Sequence, residues 1–114
     1  MRKMEIVEYY GSSSELMASL RSVFYLTASN VPENEDERRE FLQLWLGDYV
    51  ISPTGLHFVA LESDRVVGYL ISETQTLRNL EILNKHTTLL AFRSWFKEYS
   101  SHFHINVHPD VQGQ

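Results

Sequence analysis

Leu56-His57-Phe58-Val59-Ala60-Leu61-Glu62 and Val66-Val67-Gly68-Tyr69-Leu70-Ile71-Ser72-Glu73 are two strongly β-forming runs with only Ser63-Asp64-Arg65 between them. Two such runs joined by about three polar residues form a hairpin. The helices found elsewhere in the chain must then pack on the sheet to which this hairpin belongs. That requirement excludes an all-helical bundle and frames the rest of the reading.

Met4 to Tyr10 alternates loosely and is rich in β-formers, which predicts a first strand ending at Gly11. Ser12, Ser13 and Ser14 offer N-cap hydroxyls, and Glu15 suits the positive end of a helix. Leu16, Leu20, Val23, Phe24 and Thr27 follow at helical spacing, so an amphipathic helix should run to about Ser29 and break at Asn30-Val31-Pro32. The acids Glu33, Glu35, Asp36 and Glu37 suit the start of a second helix, with Phe41, Leu42, Trp45, Leu46 and Tyr49 as its apolar stripe. The acidic run itself reads as a solvated face. Ser52-Pro53-Thr54-Gly55 is a turn, and Thr74 to Ser101 is an excursion. In its second half Leu89, Phe92, Phe96 and Tyr99 are spaced for a helix. A last strand runs from about His102 to His108, ahead of the turn Pro109-Asp110.

The expected class is α/β (α+β): a mostly antiparallel central sheet with flanking helices. Its order is β-α-α-β-β-(helical insertion)-β. At 114 residues this is one domain, able to build a core without disulfides, and there is no cysteine for a disulfide, zinc ribbon or thiol nucleophile. Ten basic against fifteen acidic residues, a net charge of −5, argue against nucleic acid as a partner. Arg2 and Lys3 are not followed by a signal-peptide apolar run, and no stretch approaches a membrane span. A soluble cytoplasmic setting is the expectation.

His102, His104 and His108 share one face of the last strand with Asn106, opposite Phe103, Ile105 and Val107. This stripe has three readings. It could be a half-exposed polar strand face, a proton-handling group because imidazole titrates near neutrality, or a metal site. No carboxylate or cysteine nearby completes a ligand set, so no metal is expected. His104 is the first candidate base and His102 the second. Glu62 and Glu73 end the hairpin strands, where carboxylates are usually solvated. Trp45 and Trp95 read as packing residues, and the spacing of Tyr99 with Phe96 reads as core.

The order of elements, the hairpin with the early Gly68, and the ending Ile105-Asn106-Val107-His108-Pro109-Asp110-Val111-Gln112-Gly113-Gln114 resemble the GNAT superfamily of acetyl-CoA-dependent N-acetyltransferases. The ending is similar to that family's fourth strand and the opening of its pyrophosphate loop, Gln/Arg-x-x-Gly-x-Gly/Ala. Gln112 fills the first position, Gly113 and Gln114 the next two, and both required glycines fall beyond the last residue. The resemblance implies that the backbone of Ile105, Asn106 and Val107 holds the pantetheine arm and acetyl carbonyl. It also implies that Gln112, Gly113 and Gln114 begin the pyrophosphate ring of N–H groups. An amine, small-molecule or peptide, would attack the acetyl-CoA thioester directly, with a base or water chain taking its proton. Leu42, Trp45 and Tyr49 could line the acceptor side. A tyrosine acid in the family lies late in the fold, which leaves Tyr99 a weak candidate.

The same resemblance makes residues 1–114 the N-terminal portion of such a domain, inactive as an isolated monomer. One sheet face should then lie open to water and the last strand should be a free edge, through which a homodimer could form. The alternatives are a non-catalytic acyl-CoA-binding or pseudo-acetyltransferase module, and a protein-interaction domain that uses the edge strand.

Overall fold

The computed structural model describes residues 3–10, 14–86 and 94–112. Its centre is a four-stranded sheet with strands in sequence order: β1 (Met4–Glu8), β2 (Phe58–Glu62), β3 (Arg65–Glu73) and β4 (His102–Val107). All three pairings are antiparallel. The mixed α/β class and the order of strands and helices are as the sequence predicts.

The hairpin loop is tighter than expected. Glu62 pairs with Arg65, so Ser63 and Asp64 alone make the turn, with φ of 51° and 66°. Positive φ at both central residues is what a two-residue loop with the sheet's own twist demands. Between Ala60/Leu61 and their partners the register shifts, and Val67 is the extra residue on β3.

One face of the sheet is roofed by helices. In α1 (Ser14–Thr27), Leu20, Val23 and Phe24 point inward and are buried, each contributing ~1.5–3 kcal/mol of apolar transfer. The capping residues expected at Ser12 and Ser13, and the strand end at Gly11, lie outside the described residues. The second helical segment starts at α2 (Glu35–Leu42), where the Asn34 side chain accepts from the Glu37 N–H, 3.1 Å away. Its acids Glu35, Asp36 and Glu37 are exposed, as a solvated face should be.

That segment does not continue as a plain α-helix. Gln43–Gly47 forms a π-helical turn before α3 (Asp48–Val50). A Cβ at Gly47 would lie 2.6 Å from Gln43 Oε1, so the glycine gives the Gln43 side chain room. Gln43 Nε2 then donates to the buried Asp48, which also pairs with Lys85 at 3.0 Å. Trp45 and Tyr49, both on the expected stripe, consequently face the sheet.

The excursion after β3 departs from expectation. Its described helix, α4 (Leu80–Lys85), lies in the first half, capped by Asn79 and anchored by fully buried Ile82. Of the helix expected later, Leu89 and Phe92 lie outside the described residues. Trp95–Lys97 is one 3-10 turn. Trp95 and Tyr99 stack on each other and are 61% and 60% exposed, so neither the packing role of Trp95 nor the core role of Tyr99 holds. Among the described residues no helix is long and apolar enough to cross a membrane.

Candidate active site

Across the roofed face, Val7, Val59, Tyr69 and Asn106 form one row of paired residues. Ile71 pairs with His104 and Glu73 with His102 in the next rows of that face. The polar stripe of β4 is therefore the covered side, half-buried under α1 and α3. Phe103 and Ile105 stand in solvent. The polar face is half-exposed, as one of the sequence readings has it, but it is the side under the helices, and the apolar side faces water.

Fully buried Tyr49 sits between the two candidate histidines. Its hydroxyl is 2.7 Å from His102 Nε2 and 3.1 Å from His104 Nε2. A hydroxyl has one proton to donate, so one ring must donate from Nε2 while the other accepts there. His102 Nδ1 lies 2.7 Å from the buried Thr76 Oγ1, which extends the line to Thr76–His102–Tyr49–His104. Burial, and then the neighbouring His104, push the His102 pKa down to about 4, against the pull of Glu73. Burial also lowers His104, with His86 adding to the effect. Tyr49 is driven well above an ordinary phenol by burial, then by Glu73 and Asp48. All three groups are therefore uncharged near neutral pH.

His104 opens onto a cavity of about 420 Å³ between α1, α2 and β4. Phe24, Phe41, Trp45 and Tyr69 line it together with Thr27, Asn106 and the bend at Asn30, where φ is 60°. Thr27 Oγ1 donates to the Val23 carbonyl, so it accepts from Asn106 Nδ2 at 2.8 Å. Asn106 Nδ2 also donates to Tyr69 OH at 3.0 Å, which leaves Tyr69 its own proton to donate. Burial pushes the Tyr69 phenol up to about 12, outweighing its contacts with Thr27 and Asn106. His86 closes the far side of Trp45, with ring centroids 4.6 Å apart, and donates Nε2–H to the Leu44 carbonyl.

Glu73 is not the solvated strand end that the sequence suggested. It is fully buried and accepts from Ser52 Oγ, Thr54 Oγ1, Asn79 Nδ2 and the Gln75 N–H. Burial alone would raise its pKa, yet these donors outweigh burial and hold the carboxyl below its usual range. It tethers the 52–54 turn and the 75–79 segment beside His102. Glu62, at the end of β2, is half-buried.

The backbone assignments also sort by geometry. His108 N–H bonds the Val67 carbonyl, so even-numbered residues of β4 turn their N–H and C=O toward β3. Asn106 therefore spends its backbone on Tyr69 and offers its side chain to the cavity. Ile105 and Val107 direct their backbone groups to the free edge, where the Val107 carbonyl already accepts from Gln112 Nε2 at 3.0 Å. Gly113 and Gln114 lie outside the described residues. His108 lies beside α1 outside the cavity lining, and its Nδ1 accepts from the Asp110 N–H to cap the turn after β4. Among the described residues no group of three metal-ligating side chains is placed to hold an ion.

No protein-family model matches the chain, and no curated protein matches it in sequence. Its structure is similar to a crystal structure of an agmatine N-acetyltransferase mutant in the apo form, with a TM-score of 0.54 and 19% identity. The match covers 98% of this chain and 63% of that one, so this chain spans less than two thirds of that protein. The fold is acyltransferase-like. Sequence reasoning missed Tyr49 as the bridge, Tyr69 as a donor, and Thr76 and His86 altogether. Only Tyr49 and Tyr69 carried a signal: apolar positions filled by residues with a polar tip.

Proposed function

We propose that the chain forms the acceptor side of an N-acetyltransferase that moves an acetyl group from acetyl-CoA to a primary amine. The observation that carries this reading is the run of hydrogen bonds from the cavity inward, His104 to Tyr49 to His102 to Thr76, in an acyltransferase-like fold. An amine must lose a proton as its nitrogen bonds the acyl carbon and the carbon–sulfur bond breaks. Neutral His104 is placed to take that proton. Tyr49 can accept the Nε2–H of the charged His104 ring while donating to neutral His102, so the hydrogen-bond line steadies the added charge on His104. His104 is thus the proposed base and His102 the second histidine of that line.

The outward N–H and C=O of Ile105 and the N–H of Val107 would pair with the amides of the pantetheine arm, since edge groups need partners, while the Val107 carbonyl is held by Gln112. Gln112, Gly113 and Gln114 keep the pyrophosphate role that the family resemblance implies. The test is calorimetric titration of acetyl-CoA into the 114-residue chain, followed by single-turnover acetylation of primary amines with and without His104→Gln. Binding, with any transfer reduced at least ~100-fold by the substitution, supports the reading. No response to acetyl-CoA, from this chain or from one extended through the two loop glycines and the helix after them, removes it.

A second reading has its own observation. Ile6, Phe103 and Ile105 are 69%, 61% and 59% exposed on the sheet face that no described helix covers, beside a strand edge with no described neighbour. Such a surface supports an interaction domain whose partner is a second copy of this chain. Self-association without any response to acetyl-CoA would favour it.

A further inference from the structure

The cavity under β4 has two unlike sides. The helix side is a wall of three rings, with Phe24–Phe41 and Phe41–Trp45 centroids 5.7 Å and 6.4 Å apart. The sheet side presents His104, Asn106 and the Tyr69 hydroxyl. Among the described residues that line it there is no Asp, Glu, Lys or Arg. The acids of α2 stand on its exposed face and do not line the cavity, so they can draw a cation toward it.

Those facts separate classes of amine. A second fixed charge, ammonium or guanidinium, would find no counter-ion among those described residues, which disfavours it wherever it leaves water. Ring faces, by contrast, favour a single ammonium beside them and a flat apolar body against them. A volume of about 420 Å³ falls low in the range of small-molecule sites, which suits a compact ligand. Resting on the acyl-transfer reading above, we infer that the acceptor is an arylalkyl monoamine. Its ring lies against Phe41 and Trp45, and its nitrogen faces His104. Phe24, Phe41 and Trp45 are then the residues that set specificity.

The test titrates 2-phenylethylamine, butane-1,4-diamine and agmatine into the full chain, following the ring resonances of His104, assigned with His104→Gln. The arylalkylamine should move those resonances and bind about tenfold more tightly than either dication. Phe41→Leu and Trp45→Leu should each weaken it about tenfold, the loss expected for one ring and cation–π contact. Trp45 is 36% exposed, so its replacement leaves a foldable chain even where Phe41→Leu does not. Trp95→Leu, a change at an exposed ring outside the cavity, should alter nothing. Equal or tighter binding of a dication, silence from all three amines, or affinity untouched at positions 41 and 45 overturns the inference. Acetyl-CoA is scored separately. Amine selectivity without acetyl-CoA binding would sink acyl transfer and leave the aromatic amine site, and the converse would do the reverse.

Discussion

The two faces of β4 divide chemistry in a way opposite to an ordinary half-buried strand. His102, His104 and Asn106 point under the helices, and each has at least one side-chain nitrogen hydrogen-bonded to a named partner. Phe103 and Ile105, more apolar by any scale, point into water at 61% and 59% exposure. The sheet repeats the pattern: Ile6, Ala60, Gly68 and Val107 form one outward row, and Phe58, Leu70 and Ile105 lie in the next. Gly68 leaves a depression of about 340 Å³ in this face. Burial here follows where the helices lie, and polarity follows what the buried groups can bond. A buried polar group is tolerable only when paired, and on the inner face the pairing is specific enough to resemble a working site.

If the inner face is organised by hydrogen bonds, deleting their hub should be the most damaging change. Glu73→Leu strands donors from Ser52, Thr54, Gln75 and Asn79 around a fully buried position. We expect a loss of about 3–5 kcal/mol in urea denaturation. Tyr49→Phe keeps the shape but leaves both imidazole Nε2 atoms without their shared hydroxyl, for a loss of about 1–3 kcal/mol. A loss below about 0.5 kcal/mol for Tyr49→Phe would mean that water replaces the hydroxyl and that the histidines are not held by it.

The comparison of faces also marks what the sequence could disclose. Alternation correctly grouped His102, His104 and Asn106 on one side, because strand side chains alternate whatever surrounds them. It could not say which side is roofed, since that depends on where α1 and α3 land. The helix stripe Phe41, Leu42, Trp45, Leu46 and Tyr49 was legible from spacing alone. The π turn that aims Trp45 and Tyr49 was not, because it depends on Gln43 reaching over Gly47 to Asp48. Glu73 misled for a related reason: a carboxylate at a strand end is normally solvated, and its four donors come from positions 2 to 21 residues away. His86 and Thr76 belong to no motif and become visible only when β4 is in place.

Acid should loosen the inner face before the outer one. The folded pKa of His102, about 4, lies below the unperturbed value of about 6.5. Between those values the unfolded chain binds the extra proton. The stabilisation is complete above about pH 6.5 and is lost as pH falls toward 4, by up to ~1.4 kcal/mol per pH unit for each such histidine. His104, His57 and His86 are lowered in the same direction, while Glu73 beside His102 opposes the loss as long as it stays ionised. Urea midpoints at pH 7.5, 5.5 and 4.5 should therefore fall steadily, and His102→Gln should flatten the fall. An unchanged slope in His102→Gln would show that His102 is already protonated or solvated in the folded chain.

The smallest effects on stability belong to the outer face, and there the useful readout is association. Ile105→Thr should change unfolding free energy by no more than about 0.5 kcal/mol, because the side chain gains little from the fold. Two modes of self-association make different demands on this residue. Face-to-face packing would bury Ile105, Phe103 and Ile6 but leave β4 an open edge. Edge pairing would satisfy the outward backbone groups of Ile105 and leave the apolar face in water. Proline is tolerated where an edge strand's N–H points away from its neighbour, so Ile105→Pro removes an edge donor while keeping an apolar side chain. Sedimentation of the three chains separates the modes: loss of association in Ile105→Thr alone assigns the face, and loss in Ile105→Pro alone assigns the edge. A wild-type chain that stays monomeric at every concentration would mean that the apolar outer face is tolerated as it stands, and the contrast between the two faces would then concern chemistry alone.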